Sequence, residues 1–411
     1  MSEKILIIGA GAAGLIAAGT ASAKGKKVII LERNEKPARK VMITGKGRCN
    51  VTNNCNDLGK LISNVSVNGK FLYSAFSSWM PSDTVELIED MGVPLKCERG
   101  NRVFPCSDKA QDIVDALVSY GTDDGAEIIN GRAKKLIVEN GELKGVETFD
   151  GEKIFADKVI IATGGKSYPR TGSTGDGYEL ARQVGHTVIE PKPSLVPMNC
   201  HEGFCSDLMG LSLRNVSVKV LDTQKSEKVI YEDFGEMLFT HFGVSGPMIL
   251  SASSHIRNME KNRYVISIDL KPALSVEQLD ARILRDFSEN TNKDYINSLN
   301  ALLPKKLVPV AVKLSGIRAN TKVNQITKEQ RRRLAELLKD FRVTVTSFRP
   351  IDEAIITSGG IKVSEINPKT MESKLMKNLF FAGEVIDVDA YTGGFNLQIA
   401  FSTGHLAGEN V

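Results

Sequence analysis

Short apolar runs that end in glycine recur along this chain. Ile5 to Ile8 has the length of a buried parallel strand, and Gly9, Gly11 and Gly14 follow it at once. Val28 to Leu31 is a second such run and closes on Glu32, eighteen residues after Gly14. Lys158-Val-Ile-Ile-Ala-Thr-Gly-Gly165, Ala354-Ile-Ile-Thr-Ser-Gly-Gly360 and Asn378-Leu-Phe-Phe-Ala-Gly-Glu-Val-Ile-Asp387 repeat the pattern, and Tyr391-Thr-Gly-Gly-Phe-Asn-Leu-Gln398 opens a last helix. The first two runs with their glycines predict a nucleotide-binding βαβ unit. Gly9 permits the strand-to-helix turn, Gly11 lets a pyrophosphate approach the backbone, and Gly14 lets helix and strand pack closely. The helix N-terminus offers its unpaired N–H groups to the anion. Glu32 stands where a carboxylate accepts from both ribose hydroxyls.

Between these runs the pattern changes. Residues 58–106 predict a mixed helical region with Phe71, Tyr73, Phe76 and Trp79 in a small core, followed by a helix opened by Ser107 or Asp108. Glu127–Ala133, Lys135–Glu139 and Leu143–Thr148 predict short strands. Gly172-Ser-Thr-Gly-Asp-Gly177 lacks the GxGxxG spacing and predicts a tight connection before a helix. Pro191, Pro193 and Pro197 mark a shift in composition and the start of an insert. The insert begins with strands, as in Val216–Leu221 and Lys228–Tyr231. It turns helical where Ser275 with Gln278 and Thr327 with Gln330 form capping boxes, and Phe341–Phe348 returns to strand.

Composition adds little to this until charge is placed along the chain. At 411 residues, 42% hydrophobic and 25% charged, the protein is an ordinary globular chain with room for two or three domains. Residues 261–350 hold 18 Lys and Arg against 9 Asp and Glu, a net of +9 in a chain of net +4, so the rest is mildly acidic. A basic lobe of that kind is either a solvated helical surface or a face for a polyanion such as RNA. The six cysteines form no CxxC pair and no dense framework, which fits a reducing cytoplasm. Cys200, His201 and Cys205 find no second ligand pair, so a metal site is not expected. Lys4, the uncharged run to Ala23 and Ala21-Ser-Ala23 imitate a secretory signal, but glycines at 9, 11, 14 and 19 break the run. No other stretch is apolar and long enough to span a bilayer.

Four longer motifs are specific. Thr44-Gly-Lys-Gly-Arg-Cys-Asn-Val-Thr-Asn53, the segment Ala162–Gly177, Phe239-Thr-His-Phe-Gly-Val-Ser-Gly-Pro247 and the segment Phe381–Gln398 resemble, in order and across the whole chain, the signatures of the BaiN/YhiN-type bacterial flavoproteins. These are also described as aminoacetone oxidase family FAD-binding enzymes or NAD(P)/FAD-dependent oxidoreductases. The resemblance implies an α/β fold, a Rossmann-like FAD-binding domain of the two-dinucleotide-binding flavoprotein type. This domain would comprise residues 1–190 and 350–411, interrupted by a β-rich insert over 191–349 with its basic helical lobe at about 271–340.

It further implies FAD contacts at Gly9, Ala10, Gly11, Ala12, Ala13 and Gly14, at Glu32, Arg33 and Lys40, and at Gly45, Lys46, Gly47, Arg48 and Asn50. The same carry-over reaches Ala133, Thr163 and Gly164, then Gly383, Glu384 and Asp387, and finally Gly393, Gly394, Phe395 and Asn396. Ala390 stands where glycine is expected. The N–H groups at the start of the last helix suit the negative charge that develops on a reduced flavin ring. With no second GxGxxG, one resident dinucleotide is expected and NAD(P)H is a transient reductant.

Family activities include oxidation of an amino ketone, reduction of a steroid enone and reduction of 23S ribosomal RNA uridine to dihydrouridine. The basic lobe favours ribosomal RNA as substrate; a small-molecule reductase or oxidase and a non-catalytic flavin-binding protein are the alternatives. Cys49 and His241 are the candidate proton donors. Their alternative roles are a small packing thiol and a hydrogen-bonded core histidine.

Overall fold

The computed structural model describes residues 2–411. Contacts divide the chain into two compact units, one built from the chain through Ser194 together with Pro350–Val411 and the other from Leu195–Arg349.

The first unit is organised by a five-stranded parallel sheet in the order Leu379–Phe381, Lys158–Ile161, Lys4–Ile8, Lys27–Glu32, Glu127–Asn130. Ile5 to Ile8 pair with both neighbours and are buried, as a strand covered on both faces requires. The helix Ala12–Ala23 is made of small and apolar residues and is buried along most of its length, so it packs as a central rod with no solvent face. It lies against the final helix Phe395–Asn410, and small residues let the two backbones meet: a Cβ on Gly404 would stand 2.4 Å from the Ala13 carbonyl oxygen.

Several local expectations are corrected. Arg102–Pro105 is a strand, paired with Leu95–Glu98. The helix expected to open at Ser107 or Asp108 begins at Ala110, because Lys109 occupies the cap and the Ser107 hydroxyl instead receives the Lys109 N–H. Phe76 is buried, but Tyr73 is 59% exposed and lies outside the core. The strand expected over Asn378–Asp387 stops at Phe381, since Gly383 at φ +77 turns the chain into a 3-10 turn, Gly383–Val385.

The second unit is a closed six-stranded barrel, Met198–Cys200, Gly243–Ser245, Lys228–Thr240, Ser212–Asp222, Tyr264–Asp269 and Phe341–Phe348 in that order, with antiparallel neighbours. Val218, Val220, Ile266, Ile268, Val343 and Val345 alternate inward, which a period of two demands. Helices Val276–Ser288 and Lys328–Lys339 bring Leu279, Ile283, Leu334 and Leu338 into the same core. Both helices start in the expected capping boxes.

Candidate dinucleotide site

In the first unit, the first strand leads through the glycine turn into the first helix, whose start packs against the final helix at Gly404, while the head of the final helix meets Thr52 and Asn53. Gly9 leaves its strand at φ +106, a conformation that favours glycine, and its N–H donates to Leu31 O at 2.9 Å. Gly14 faces this turn so closely that a Cβ there would stand 1.9 Å from Gly9 O. A Cβ on Gly11, by contrast, meets nothing within 4 Å. The helix behind it carries no side-chain cap and no acid in its first turn, so its leading N–H groups are free for an anion. Ala10 N–H donates to Glu32 Oε2 at 2.8 Å, and Asn34 donates to Oε1 from its backbone (2.8 Å) and its side chain (2.7 Å). The carboxylate of buried Glu32 is thus held against the glycine turn with acceptor capacity to spare. An open cradle, an uncapped helix and an oriented acid fit the adenosine-diphosphate part of FAD.

The remaining expected contacts fall into two groups. Some meet the same region. Ala38 N–H donates to Ala10 O at 2.8 Å, which folds the segment after the second strand onto the glycine turn. Lys40 reaches Glu384 at 2.6 Å and Ser167 at 2.6 Å, while Glu384 also accepts from Thr357 N–H at 2.7 Å. Gly383, whose N–H donates to Thr403, lies beside Ala13. The backbone from Gly45 to Gly47 is left-handed, Lys46 at φ +60 included, and the Lys46 ammonium is exposed without a partner among the described residues. Asn53 donates to Gly393 O at 3.0 Å, and a Cβ on Gly394 would stand 2.3 Å from the Thr52 backbone, so this loop is fastened to the head of the final helix. Phe395 is buried there, and that helix too has no side-chain cap. Thr163 follows the strand Lys158–Ile161, with Gly164 at φ +71 behind it; its buried hydroxyl faces Gly177 and makes no hydrogen bond among the described residues.

Others are engaged by protein. Arg33 pairs with Asp176 at 3.2 Å, which Arg132 also holds at 2.7 Å. Arg48 lies over the Phe104 ring, 4.2 Å from its centroid, and is held by Glu98 and Asp108 at 2.5 Å each. Asn50 donates to Thr52 O and Val103 O, and Asn396 bridges both backbone groups of Ala390. Asp387 accepts from Asn68 at 3.0 Å, and burial raises its carboxyl pKa. Ala133 begins the strand Ala133–Glu139 of a separate three-stranded sheet.

Cys49 has no exposed surface, and burial pushes its thiol up to about 12. It is therefore protonated at neutral pH and enclosed by protein. His241 sits in the barrel unit, between the strands Lys228–Thr240 and Gly243–Ser245, exposed and edge-on to Phe242 at 4.9 Å. It is not the core histidine considered from sequence; the hairpin turn carries it outward.

Sequence reasoning missed a buried network centred on Gln398. Its Oε1 accepts from Thr52 at 2.6 Å and from Thr84 at 3.0 Å, and its Nε2 donates to Trp79 O and Ser402. One amide thereby fixes the final helix to the strand Thr52–Asn53 behind the glycine-lysine loop. No spacing along the chain signals it, because its partners Thr52, Thr84 and Trp79 lie more than three hundred positions from Gln398.

A family model for the HI0933-like protein Rossmann domain matches residues 3–410. The chain belongs to the HI0933-like family. This is a Rossmann-type family of FAD-dependent oxidoreductases. Within it, the chain is similar to the ribosomal RNA dihydrouridine synthase of Escherichia coli, 32% identical over 97% of this chain and 95% of that one. It is equally similar to the 3-dehydro-bile acid delta(4,6)-reductase of Clostridium scindens, 31% identical over 99% and 98%. Among solved structures, the HI0933-like fold matches the open conformation of a flavocytochrome c3 fumarate reductase with TM-score 0.52 at 16% identity, covering 100% of this chain and 78% of that one. It also matches 3-ketosteroid delta1-dehydrogenase from Sterolibacterium denitrificans with TM-score 0.50 at 12% identity, over 99% of both chains.

Proposed function

We propose that the protein uses NAD(P)H to reduce a carbon–carbon double bond conjugated to a carbonyl, and that its substrate is uridine in 23S ribosomal RNA. The observation that carries this reading is the full-length likeness to two enzymes whose names describe one chemistry, formation of dihydrouridine and reduction of a conjugated bile acid. FAD, when bound, supplies the hydride. Uracil accepts it at C6, and an acid protonates C5. The chain's own part is to fix the adenosine end with Glu32 and the glycine turn, and to offer uncapped amides at the head of the final helix to developing negative charge.

RNA is preferred over a steroid because of the net +9 carried by residues 261–350. That reading places the protein beside ribosomes in the cytoplasm. The deciding experiment measures dihydrouridine in ribosomal RNA from cells with and without the protein; an unchanged level sinks the substrate assignment. Turnover of a steroid enone by the same purified protein favours the second reading, which the 31% identity to the bile-acid enzyme supports.

We assign Cys49 a packing role, because its sulfur is enclosed and held protonated. Cys49→Ala is expected to keep normal turnover with full flavin content. His241 is tested by the same measurement, where a fall in kcat of about 10²-fold or more at full flavin content assigns it the proton.

A further inference from the structure

Several cations of the barrel unit are paired with acids at close range. Arg263 meets Asp222 at 2.7 Å, Arg331 meets Asp280 at 2.7 Å, Lys339 meets Asp269 at 2.5 Å and Arg342 meets Glu227 at 2.7 Å. Elsewhere, three cations gather around a concave surface beside an aromatic ring. A groove of about 700 Å³ is bordered by Arg214, Lys271 and Arg282, by the ring of Phe234 and by Asn215, and no carboxylate is among its described lining residues. Its volume is in the range of sites that take organic ligands.

Three elements build it. Arg214 and Asn215 come from the strand Ser212–Asp222 at a bulge, where the register shifts between Arg214 and Val216 and Asn215 takes φ +54. Phe234, on the paired strand, is 50% exposed. Lys271 and Pro272 follow the strand Tyr264–Asp269, and Arg282 projects from the helix Val276–Ser288. The acids nearest these cations hold them loosely: Glu236 is 3.8 Å from Arg214, and Asp286 is 3.7 Å from Arg282. The half-buried Lys271 ammonium makes no hydrogen bond or ion pair among the described residues. Burial and the neighbouring Arg282 together depress its pKa. An anion placed between the two would remove that repulsion.

We propose that this groove binds a segment of single-stranded RNA, with phosphates against Lys271, Arg282 and Arg214 and a base stacked on Phe234. The inference rests on the RNA reading of the substrate and adds an anchoring site to it. A cationic track beside an exposed aromatic ring is the arrangement by which proteins hold unpaired strands, since charge follows the backbone and any base offers a π-face. An acidic peptide would satisfy the cations and leave the ring unused.

The test uses the full-length, FAD-loaded protein and a fluorescein-labelled twelve-residue oligouridylate, with binding read by anisotropy across a salt series. Lys271→Ala with Arg282→Ala is expected to weaken binding at least about tenfold and to flatten the log–log salt slope by roughly 1.4, at about 0.7 per phosphate released. Phe234→Ala is expected to weaken it about fivefold or more with the slope unchanged. Lys305→Ala with Lys313→Ala, two exposed cations outside the groove, should change it less than about twofold. Absence of oligonucleotide binding, or groove variants that match this control, overturns the proposal. So does a polyglutamate peptide that displaces the oligonucleotide while Phe234→Ala has no effect, because the groove is then an acidic-protein dock. An unchanged unfolding transition of the barrel unit confirms that each variant is folded. The binding readout is separate from the cellular one: groove-dependent oligonucleotide binding with ribosomal dihydrouridine unchanged in cells lacking the protein defeats only the substrate assignment, and absent groove binding with dihydrouridine lost in those cells defeats only the groove.

Discussion

The glycine-rich unit and the barrel unit bear their chemistry in opposite ways. In the former, the decisive positions are small residues whose missing side chains let backbones meet, as at Gly14 against Gly9 and Gly394 against Thr52. In the latter, they are long cations whose meaning depends on which of them lack an acid. A glycine contact is a matter of ångströms and tolerates no substitution, whereas a surface charge is adjustable and is worth little when paired. The contrast implies that damage to the first unit is all-or-none and local to the cofactor, and that damage to the second is graded.

The most severe way to break that contrast is Gly14→Val, which drives a branched side chain into the Gly9 carbonyl. No soluble flavin-loaded protein is expected, read as flavin absorbance per chain on purification. Gly11→Ala is the control: its Cβ meets nothing, so the chain folds, and any loss is confined to FAD affinity. Next is Phe341→Ala, a fully buried ring of the barrel core that packs edge-on to Phe204 and Phe239. It should cost about 3–5 kcal/mol in the barrel's unfolding transition, with the bound flavin spectrum retained. Glu32→Gln comes third. It removes the charge that orders Ala10 and Asn34 and should weaken FAD binding by about 1.5–3 kcal/mol, measured by equilibrium titration of apoprotein.

The smallest effect concerns pH. His186 is buried, bonds Ser373 at 2.7 Å, and lies 3.3 Å from Glu365 without hydrogen-bond alignment. Burial outweighs the carboxylate and lowers its pKa below the ordinary 6.5. Because the unfolded chain takes the proton first, the histidine's contribution is complete above 6.5 and is lost as pH falls through 6.5 toward the lower folded value. His186→Gln should flatten that part of a stability-against-pH curve; an unaltered curve shows that other groups set the acid limb.

How far the sequence was legible varies by residue. Ser275 with Gln278 and Thr327 with Gln330 form the capping boxes that their spacing predicts, because a cap needs only neighbours three positions away. The strand after Asn378 ends sooner than its apolar run predicts, because the sequence does not show that Gly383 takes a left-handed turn. Tyr73 lies outside the small core that its region predicts, since an aromatic residue in a helical region does not say which face it occupies. Arg48 reads as a free cation in its loop, yet Glu98 and Asp108 hold it from fifty and sixty residues away. Lys40 finds Glu384 across 344 positions, and Thr52 finds Gln398 across 346.

The sequence by itself determined the Rossmann unit, its glycine turn, the acid at position 32 and membership of the family. Each of these depends on spacing along the chain, where backbone geometry leaves few conformations open. Tertiary structure alone decided which charges are spent on one another and which remain, so it enclosed the Cys49 thiol, exposed His241 and left Lys271 without an acid beside Phe234. Partnership between distant side chains is settled by proximity in space, and no local spacing encodes it.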